Sequence, residues 1–232
     1  MFAPLSAFEW EALLLSLDVS WRALLLIIAP AIGLAYLCAR CRFPGRGLLR
    51  AVLLMPLVMP PVVLGYTLLV IFAPAGGDGA VLGIPVAFHR NGAALAAGVA
   101  GFPLLFRSAH SAFEMVDARY IEAARSLGAS PWHVFRSIVL PLSLPGILGG
   151  LLLAAGRSFG EFGATISFVA SIPGETQTLP LAIYTLLQQP GGETDALRLA
   201  IISLIISLGT LWAGEALARR VAKRGPGEES TV

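Results

Sequence analysis

The chain has 232 residues, of which 56% are hydrophobic and only 13% are charged, and its mean hydropathy is +0.80. This composition excludes a soluble globular protein and predicts an all-α integral membrane protein. The formal net charge is only +2, and the basic residues follow the pattern of membrane topology, so no nucleic-acid partner is expected.

Five stretches are long and apolar enough to cross a hydrocarbon core, which takes about 20 residues. They cover residues 13–39, 48–72, 93–113, 144–168 and 196–218. The sequence therefore predicts an extracytoplasmic N-terminus (1–12), a transmembrane domain (13–220) and a short cytoplasmic tail (221–232). A cleaved signal peptide is not expected, because no basic residue precedes Arg22.

Basic residues predict the orientation, because cytoplasmic loops retain Lys and Arg. Twelve of the 16 basic residues fall on one side of the predicted spans: Arg40, Arg42, Arg46, Arg50, Arg107, Arg119, Arg125, Arg136, Arg219, Arg220, Lys223 and Arg224. The opposite side carries mainly acidic residues: Glu9, Glu11, Asp18, Asp78, Glu175, Glu193 and Asp195. We expect an N-terminus outside and a C-terminus in the cytoplasm, with Arg22, Arg90 and Arg198 as the minority on the outer side.

Prolines interrupt the second predicted span at Pro56, Pro60 and Pro61. Each proline removes a backbone donor, so the helix should be kinked and should face protein that satisfies the freed carbonyls. Two interpretations remain open. The prolines form a packing kink, or Pro60 and Pro61 belong to a transport pathway or its gate.

The loop at residues 114–141 contains a helix, a break and a second helix. Residues 117–127 have amphipathic spacing, with Tyr120, Ala123, Ala124 and Leu127 predicted on the apolar face. Gly128 is placed to end this helix, and Ser130 followed by Pro131 predicts the start of the next one. The second helix is expected to expose three aromatic side chains to the cytoplasm: Trp132, His133 and Phe135.

This loop resembles the cytoplasmic signature loop of binding-protein-dependent ABC transporter permeases. The matching positions are Glu122, Ala123, Ala124, Gly128, Ile138, Leu140 and Pro141. In that family the short helix after the glycine docks into a cleft on an ATPase subunit, so the resemblance implies an ATPase-coupling role for Glu122, Ala123, Ala124, Gly128, Ser130, Pro131, Trp132, His133 and Phe135. The alternative is a purely structural loop in which Glu122 pairs with Arg119 or Arg125.

The fourth predicted span carries two ionisable residues, Arg157 and Glu161, four positions apart. Charges at bilayer depth are costly and normally face partners or water. The pair can simply pin two helices together. Alternatively, this face lines the translocation route or its gate, with the hydroxyls of Ser158, Thr165 and Ser167 donating to an oxyanion.

The segment RSFGEFGATISFVASIPGETQTLPLAIYTLLQQPGGE is similar to the corresponding part of molybdate ABC transporter permeases, as are RCRFPGR and LPLVMPPVVLGY. The resemblance implies a type I ABC importer permease fold in a bacterial inner membrane, surrounded by lipid. It also implies a homodimer, two cytoplasmic ATPase subunits that bind ATP and Mg, and an extracytoplasmic molybdate-binding protein. The residues themselves do not distinguish molybdate from tungstate or from sulfate and thiosulfate.

The chain is not expected to be an enzyme or to hold a metal or cofactor of its own. A phosphate-binding loop needs glycines followed by Lys and then Ser or Thr, but the only lysine is Lys223, followed by Arg224. Cys38 and Cys41 form a single C-x-x-C without a second pair, and we interpret this spacing as coincidental. An ion-coupled secondary carrier that uses Arg157 and Glu161 as a relay is the rival function, but paired halves with matching broken helices are missing.

Overall fold

The computed structural model describes residues 5–72, 80–81 and 84–223. Ten α-helices are found there: α1 Ala7–Arg40, α2 Arg46–Val58, α3 Pro61–Phe72, α4 Arg90–Met115, α5 Ala118–Ser126, α6 Pro131–Val134, α7 Leu140–Phe159, α8 Gly163–Val169, α9 Leu179–Leu187 and α10 Glu193–Lys223. A π-helix, Phe135–Val139, joins α6 to α7, and β1 Ala80–Val81 pairs antiparallel with β2 Ile84–Pro85. Asp78, Arg224 and the tail at 225–232, which entered the topology prediction, lie outside the described residues.

The helices confirm the prediction of about five spans. Four helical segments of the described chain are long and apolar enough to cross a membrane: α1, α4, Pro131–Phe159 and α10. The pair α2 and α3 makes a fifth if it is counted as one broken span. This second span is bent by 115° between Val58 and Pro61, far more than the kink expected from its prolines. Pro56 stays inside α2, whereas Pro60 stands at the break.

The prediction of one continuous fourth helix over residues 144–168 was wrong. The helix α7 begins earlier and ends at Phe159, and α8 starts only at Gly163. The Glu161 side chain explains the interruption, because its Oε1 accepts a hydrogen bond of 2.8 Å from the backbone N–H of Ala164. A carboxylate thus satisfies an N–H at the start of α8 that has no partner within the helix.

The core forms around α4, which packs on α1 and α7 through small residues. A Cβ added to Gly98 would lie 3.1 Å from Ile27 of α1, and one added to Gly101 would lie 3.1 Å from the carbonyl oxygen of Ala154 on α7. Small residues at such positions let helix backbones approach closely, which is how membrane helices gain packing contacts. The helix α4 is therefore the central element of the bundle.

The N-terminal parts of α1, α9 and α10 are joined by buried polar contacts. The first N–H of the short α9 donates to the hydroxyl of Ser16 at 2.6 Å. The Glu9 side chain is almost fully buried and forms an ion pair with Arg198 of α10. Sequence reasoning treated Glu9 and Arg198 only as topology markers, because their separation along the chain hides the pairing.

Candidate functional site

The loop at 114–141 folds as two short helices joined at Gly128, and we call residues 117–135 the elbow. The Asp117 side chain caps α5 by accepting from the N–H of Arg119 at 2.9 Å. Gly128 has a φ of +83°, a left-handed conformation that glycine adopts without strain. Its N–H donates to the carbonyl of Arg125 at 2.9 Å, and that of Ala129 to the carbonyl of Ala124 at 3.1 Å, which together form a Schellman motif.

The second half of the elbow starts as the sequence predicted. The Ser130 hydroxyl accepts from the N–H of His133 at 3.3 Å, and Pro131 occupies the first helical position. The side chains of Trp132 and His133 are exposed. Phe135, which was expected to be exposed, is half-buried instead, because its ring packs 4.8 Å from that of Tyr36 on α1.

The apolar face of α5 points in a different direction from the prediction. Ile121 and Ala124 pack against the transmembrane core. Tyr120 and Leu127, which were expected to share the apolar face with Ala124, are 59% and 90% exposed. Two large apolar side chains of α5 and its C-terminal end are therefore available at the elbow surface, beside Trp132.

Two charged residues of the elbow region behave differently. Glu122 is exposed, and its carboxylate forms no ion pair with any described residue, which removes the alternative of a pair with Arg119 or Arg125. Arg40, at the end of α1, donates from Nη2 to the carbonyl of Val116 at 2.7 Å and to that of Phe113. Arg40 thus caps the C-terminus of α4 and fixes the point where the elbow leaves the bundle. Sequence reasoning missed this role, because Arg40 was one of many basic residues on that side.

The two broken spans meet at their breaks. A Cβ added to Gly163, the first residue of α8, would lie 2.6 Å from the Cβ of Pro61, the first residue of α3. A Cβ added to Gly65 would lie 2.4 Å from the carbonyl oxygen of Ala164. The structure therefore brings the proline break and the Glu161 break together, although 100 positions separate Pro61 from Glu161 in the sequence.

The polar residues of the fourth span are largely enclosed in this conformation. Arg157 and Glu161 form the predicted ion pair, with Glu161 buried and Arg157 partly exposed. Thr165 is buried, and the Ser158 hydroxyl, also buried, donates to the carbonyl of Ala97 at 3.0 Å. The Ser167 hydroxyl donates to the carbonyl of Gly163 at 2.9 Å. The predicted wet face is thus largely closed here, with Arg157 and Ser167 partly exposed.

This arrangement of an elbow below two broken spans agrees with comparisons to known proteins. Residues 31–223 match the family model described as "Binding-protein-dependent transport system inner membrane component". The chain belongs to this family. It is an inner-membrane permease of an ABC importer, and the type I permease fold predicted from the sequence is confirmed.

Curated relatives and solved structures show which permeases this chain is similar to. It is 53% identical over 215 residues to the molybdenum transport system permease protein ModB of Escherichia coli (strain K12), covering 91% of this chain and 94% of the relative. It is 46% identical to ModB of Haemophilus influenzae, over 93% of this chain and 96% of the relative. A structure of the MetNI methionine ABC transporter has a TM-score of 0.69 at 18% identity, covering 92% of this chain and 94% of that one. A bacterial ABC transporter for alginate has a TM-score of 0.75 at 18% identity, covering 93% and 80%. These two structures bear on the fold alone.

An ion-pair cluster forms around Glu175, in the turn after α8. Its carboxylate accepts from Nη2 of Arg90 at 3.0 Å and from the Arg90 backbone N–H at 3.1 Å, and it lies 2.9 Å from Nε2 of His89. The hydrogen bond from the Arg90 side chain, followed by that from its backbone, lowers the pKa of Glu175 to about 2. The side chains of His89 and Arg90 are therefore not simply solvated, because Glu175 contacts both.

The low pKa of Glu175 predicts how the stability of the permease depends on pH. A folded-state pKa below the ordinary value of 4.5 stabilises the fold fully above pH 4.5, and this contribution is lost as pH falls toward about 2. We expect Glu175→Gln to lower the melting temperature in detergent at pH 7, and the difference from wild type to shrink between pH 5 and 3. Glu193→Gln, at an exposed position without an ion pair among the described residues, is the control. A difference that stays constant over this pH range would contradict the ion-pair explanation.

Proposed function

We propose that this chain is the membrane-spanning permease subunit of an ATP-driven ABC importer that carries molybdate across the cytoplasmic membrane. The observation that carries this proposal is 53% identity to ModB of Escherichia coli over 94% of that protein's length. The match covers 91% of this chain, so it extends over most of the membrane domain, to which the two broken spans and the elbow belong.

The elbow is the surface that an ATPase subunit grips. Large apolar side chains that anchor an interface carry much of its binding energy, and Tyr120, Leu127 and Trp132 supply three at the exposed elbow surface. Motion of the elbow reaches the spans through Phe135, which packs on Tyr36 of α1 and lies 6.4 Å from the ring of Phe113 on α4. The partner subunit binds ATP and Mg and performs hydrolysis.

The full importer contains two copies of this permease, two ATPase subunits and an extracytoplasmic molybdate-binding protein. A solved alginate ABC transporter of the same fold was crystallised in complex with its substrate-bound periplasmic protein. The N-terminus lies outside and the C-terminus in the cytoplasm. Two contacts support this orientation. Arg40 contacts Val116, which places the end of α1 beside the elbow, and Glu9 pairs with Arg198 at the opposite end of the bundle.

The contact between the two broken spans is the candidate gate. Pro60 and Pro61 stand on one side of it, and Arg157 with Glu161 on the other. For Thr165 to donate to a passing anion, α8 must move away from its present neighbours, because Thr165 is buried. Ser158 of α7 must release the carbonyl of Ala97 on α4, and Ser167 must release the carbonyl of Gly163 within α8. Movement of the elbow, transmitted along α7, is the source of that displacement.

Reconstitution tests the substrate. The permease, its ATPase and its binding protein are placed in liposomes, and ATP turnover is measured with the binding protein loaded with molybdate, tungstate, sulfate or thiosulfate. Molybdate is expected to stimulate turnover most strongly. Preferential stimulation by sulfate would favour the alternative oxyanion, for which a probable sulfate transport system permease of Chlorokybus atmophyticus, 34% identical over 77% of this chain, is the precedent. Uptake without any ATPase subunit would instead indicate a secondary carrier.

A further inference from the structure

Arg107 is a basic residue within a membrane span. The topology argument counted it among the basic residues of the cytoplasmic side, and it lies inside α4, eight residues before the helix ends at Met115. Its side chain is exposed, and no hydrogen bond or ion pair to its guanidinium is found among the described residues. An arginine within a span is costly unless it faces water or a charge partner, so its position calls for a ligand.

Arg107 belongs to a stripe that runs along α4. Ala96 and Ala100, at the outer end of the stripe, are buried in a cluster with residues of α3 and α8. Arg107, Ser111 and Glu114 continue the stripe toward the cytoplasm at helical spacing, and all three are exposed. The two broken spans therefore cover this side of α4 in its outer half, whereas the inner half of the same side is exposed.

The open side of α7 adjoins this stripe. Ser108, next to Arg107, lies against Gly150 of α7, as a Cβ added there would come within 2.6 Å of the Ser108 Cβ. Arg157 is seven residues beyond Gly150, which corresponds to about 10 Å toward the outer end of α7. Arg107 and Arg157 therefore lie at different depths beside the interface of α4 and α7. Arg157 is already neutralised by its ion pair with Glu161. Arg107 forms no ion pair with any described residue, so it is left as an uncompensated positive charge beside this interface.

We infer that Arg107 binds the transported oxyanion on the cytoplasmic side of the closed gate. A guanidinium donates two parallel hydrogen bonds to a tetrahedral oxyanion and keeps its charge at any physiological pH. The hydroxyl of Ser111, one turn along the same stripe, is a second donor within reach of an anion held there. This inference rests on the proposed import of an oxyanion and adds a contact residue within the membrane domain.

The test compares Arg107→Gln with Arg107→Lys in proteoliposomes that contain the ATPase and the binding protein. Loss of a charge-assisted hydrogen bond is expected to lower the initial rate of molybdate uptake about tenfold in Arg107→Gln. Arg107→Lys keeps the charge but not the paired hydrogen bonds, so its rate is expected to lie between those of Arg107→Gln and wild type. Arg42→Gln, which removes an exposed basic residue at the inner end of α1, is the matched control and should transport like wild type. A wild-type rate in Arg107→Gln, or an equal loss in Arg42→Gln, overturns the inference. If wild type itself transports no molybdate, the proposed function fails and not the role of Arg107.

Two further arms distinguish a transported anion at Arg107 from a lipid headgroup bound at the same place. An anionic phospholipid headgroup offers the same phosphate-like chemistry with a net negative charge, so uptake is repeated in liposomes of zwitterionic lipid alone, whose headgroup phosphate is neutralised by its own cation. A defect of Arg107→Gln that persists there supports the transported anion, and one that disappears assigns Arg107 to lipid. In a Cys41→Ser background, thiol labelling of Ser111→Cys from the cytoplasmic side should be slowed by molybdate when Arg107 is present and not in Arg107→Gln. Equal labelling with and without molybdate in the Arg107 protein also overturns the inference.

Discussion

Replacing Gly128 by valine is expected to abolish most of the coupling between ATP hydrolysis and transport. The left-handed conformation at Gly128 costs a β-branched residue about 1–2 kcal/mol. Nothing lies within 4 Å of a Cβ at this position, so the effect is conformational and not a clash. The elbow relieves the strain by changing the angle between α5 and α6. A free-energy cost of about 1–2 kcal/mol changes the population of the conformation that docks on the ATPase about 5- to 30-fold. Binding-protein-stimulated ATPase activity and uptake in proteoliposomes measure the loss.

Gly45 offers a matched control for this substitution. It joins α1 to α2 with a φ of +85°, and a Cβ there also meets nothing within 4 Å. Gly45→Val should therefore cost the same local strain and lower the melting temperature to a similar extent, while stimulated ATPase activity is retained. Gly128→Asn is a second control, because asparagine tolerates the left-handed region. If Gly45→Val uncouples transport as strongly as Gly128→Val, the elbow has no special role.

The elbow could be predicted from the sequence because its signals are local. Ser130 with Pro131 and Gly128 each specify a backbone conformation through their own chemistry, and the structure shows the helix ends where these residues place them. The direction in which α5 faces could not be predicted from its own residues. Tyr120 and Leu127 are apolar but exposed, and Ile121 packs inward, because the core they meet is formed by other helices.

The breaks in the second and fourth spans could not be read from hydropathy. Hydropathy averaged over a window predicts one continuous span through Val58 to Pro61 and another through Phe159 to Gly163, although the chain turns at both places. What decides the geometry is contact between the two breaks and the capping of α8 by Glu161, which lies far from Pro61 in the sequence. Thr165 is buried in α8, next to this contact, whereas Ser158 is buried where α7 packs on α4.

Gly65→Ala should be among the most damaging small substitutions in the membrane domain. Alanine favours a helix over glycine by about 1 kcal/mol, so α3 itself gains from the change. The added Cβ, however, would lie 2.4 Å from the carbonyl oxygen of Ala164 and 2.8 Å from the Cβ of Ser167. Because one of these atoms is backbone, α8 must move away from α3, and overpacking of this kind costs about 1–3 kcal/mol.

Gly33→Ala in α1 separates the clash from the general effect of removing a glycine. A Cβ at Gly33 meets nothing within 4 Å, so this variant should melt at or above the temperature of wild type and transport normally. Gly65→Ala should melt lower and lose most molybdate uptake, since the contact it disturbs is the one that closes the route between the two broken spans. Uptake and thermal melting measured on the same preparations distinguish a defect of the gate from a loss of stability. Full uptake by a Gly65→Ala protein with a lowered melting temperature would show that the α3–α8 contact stabilises the fold without serving as the gate.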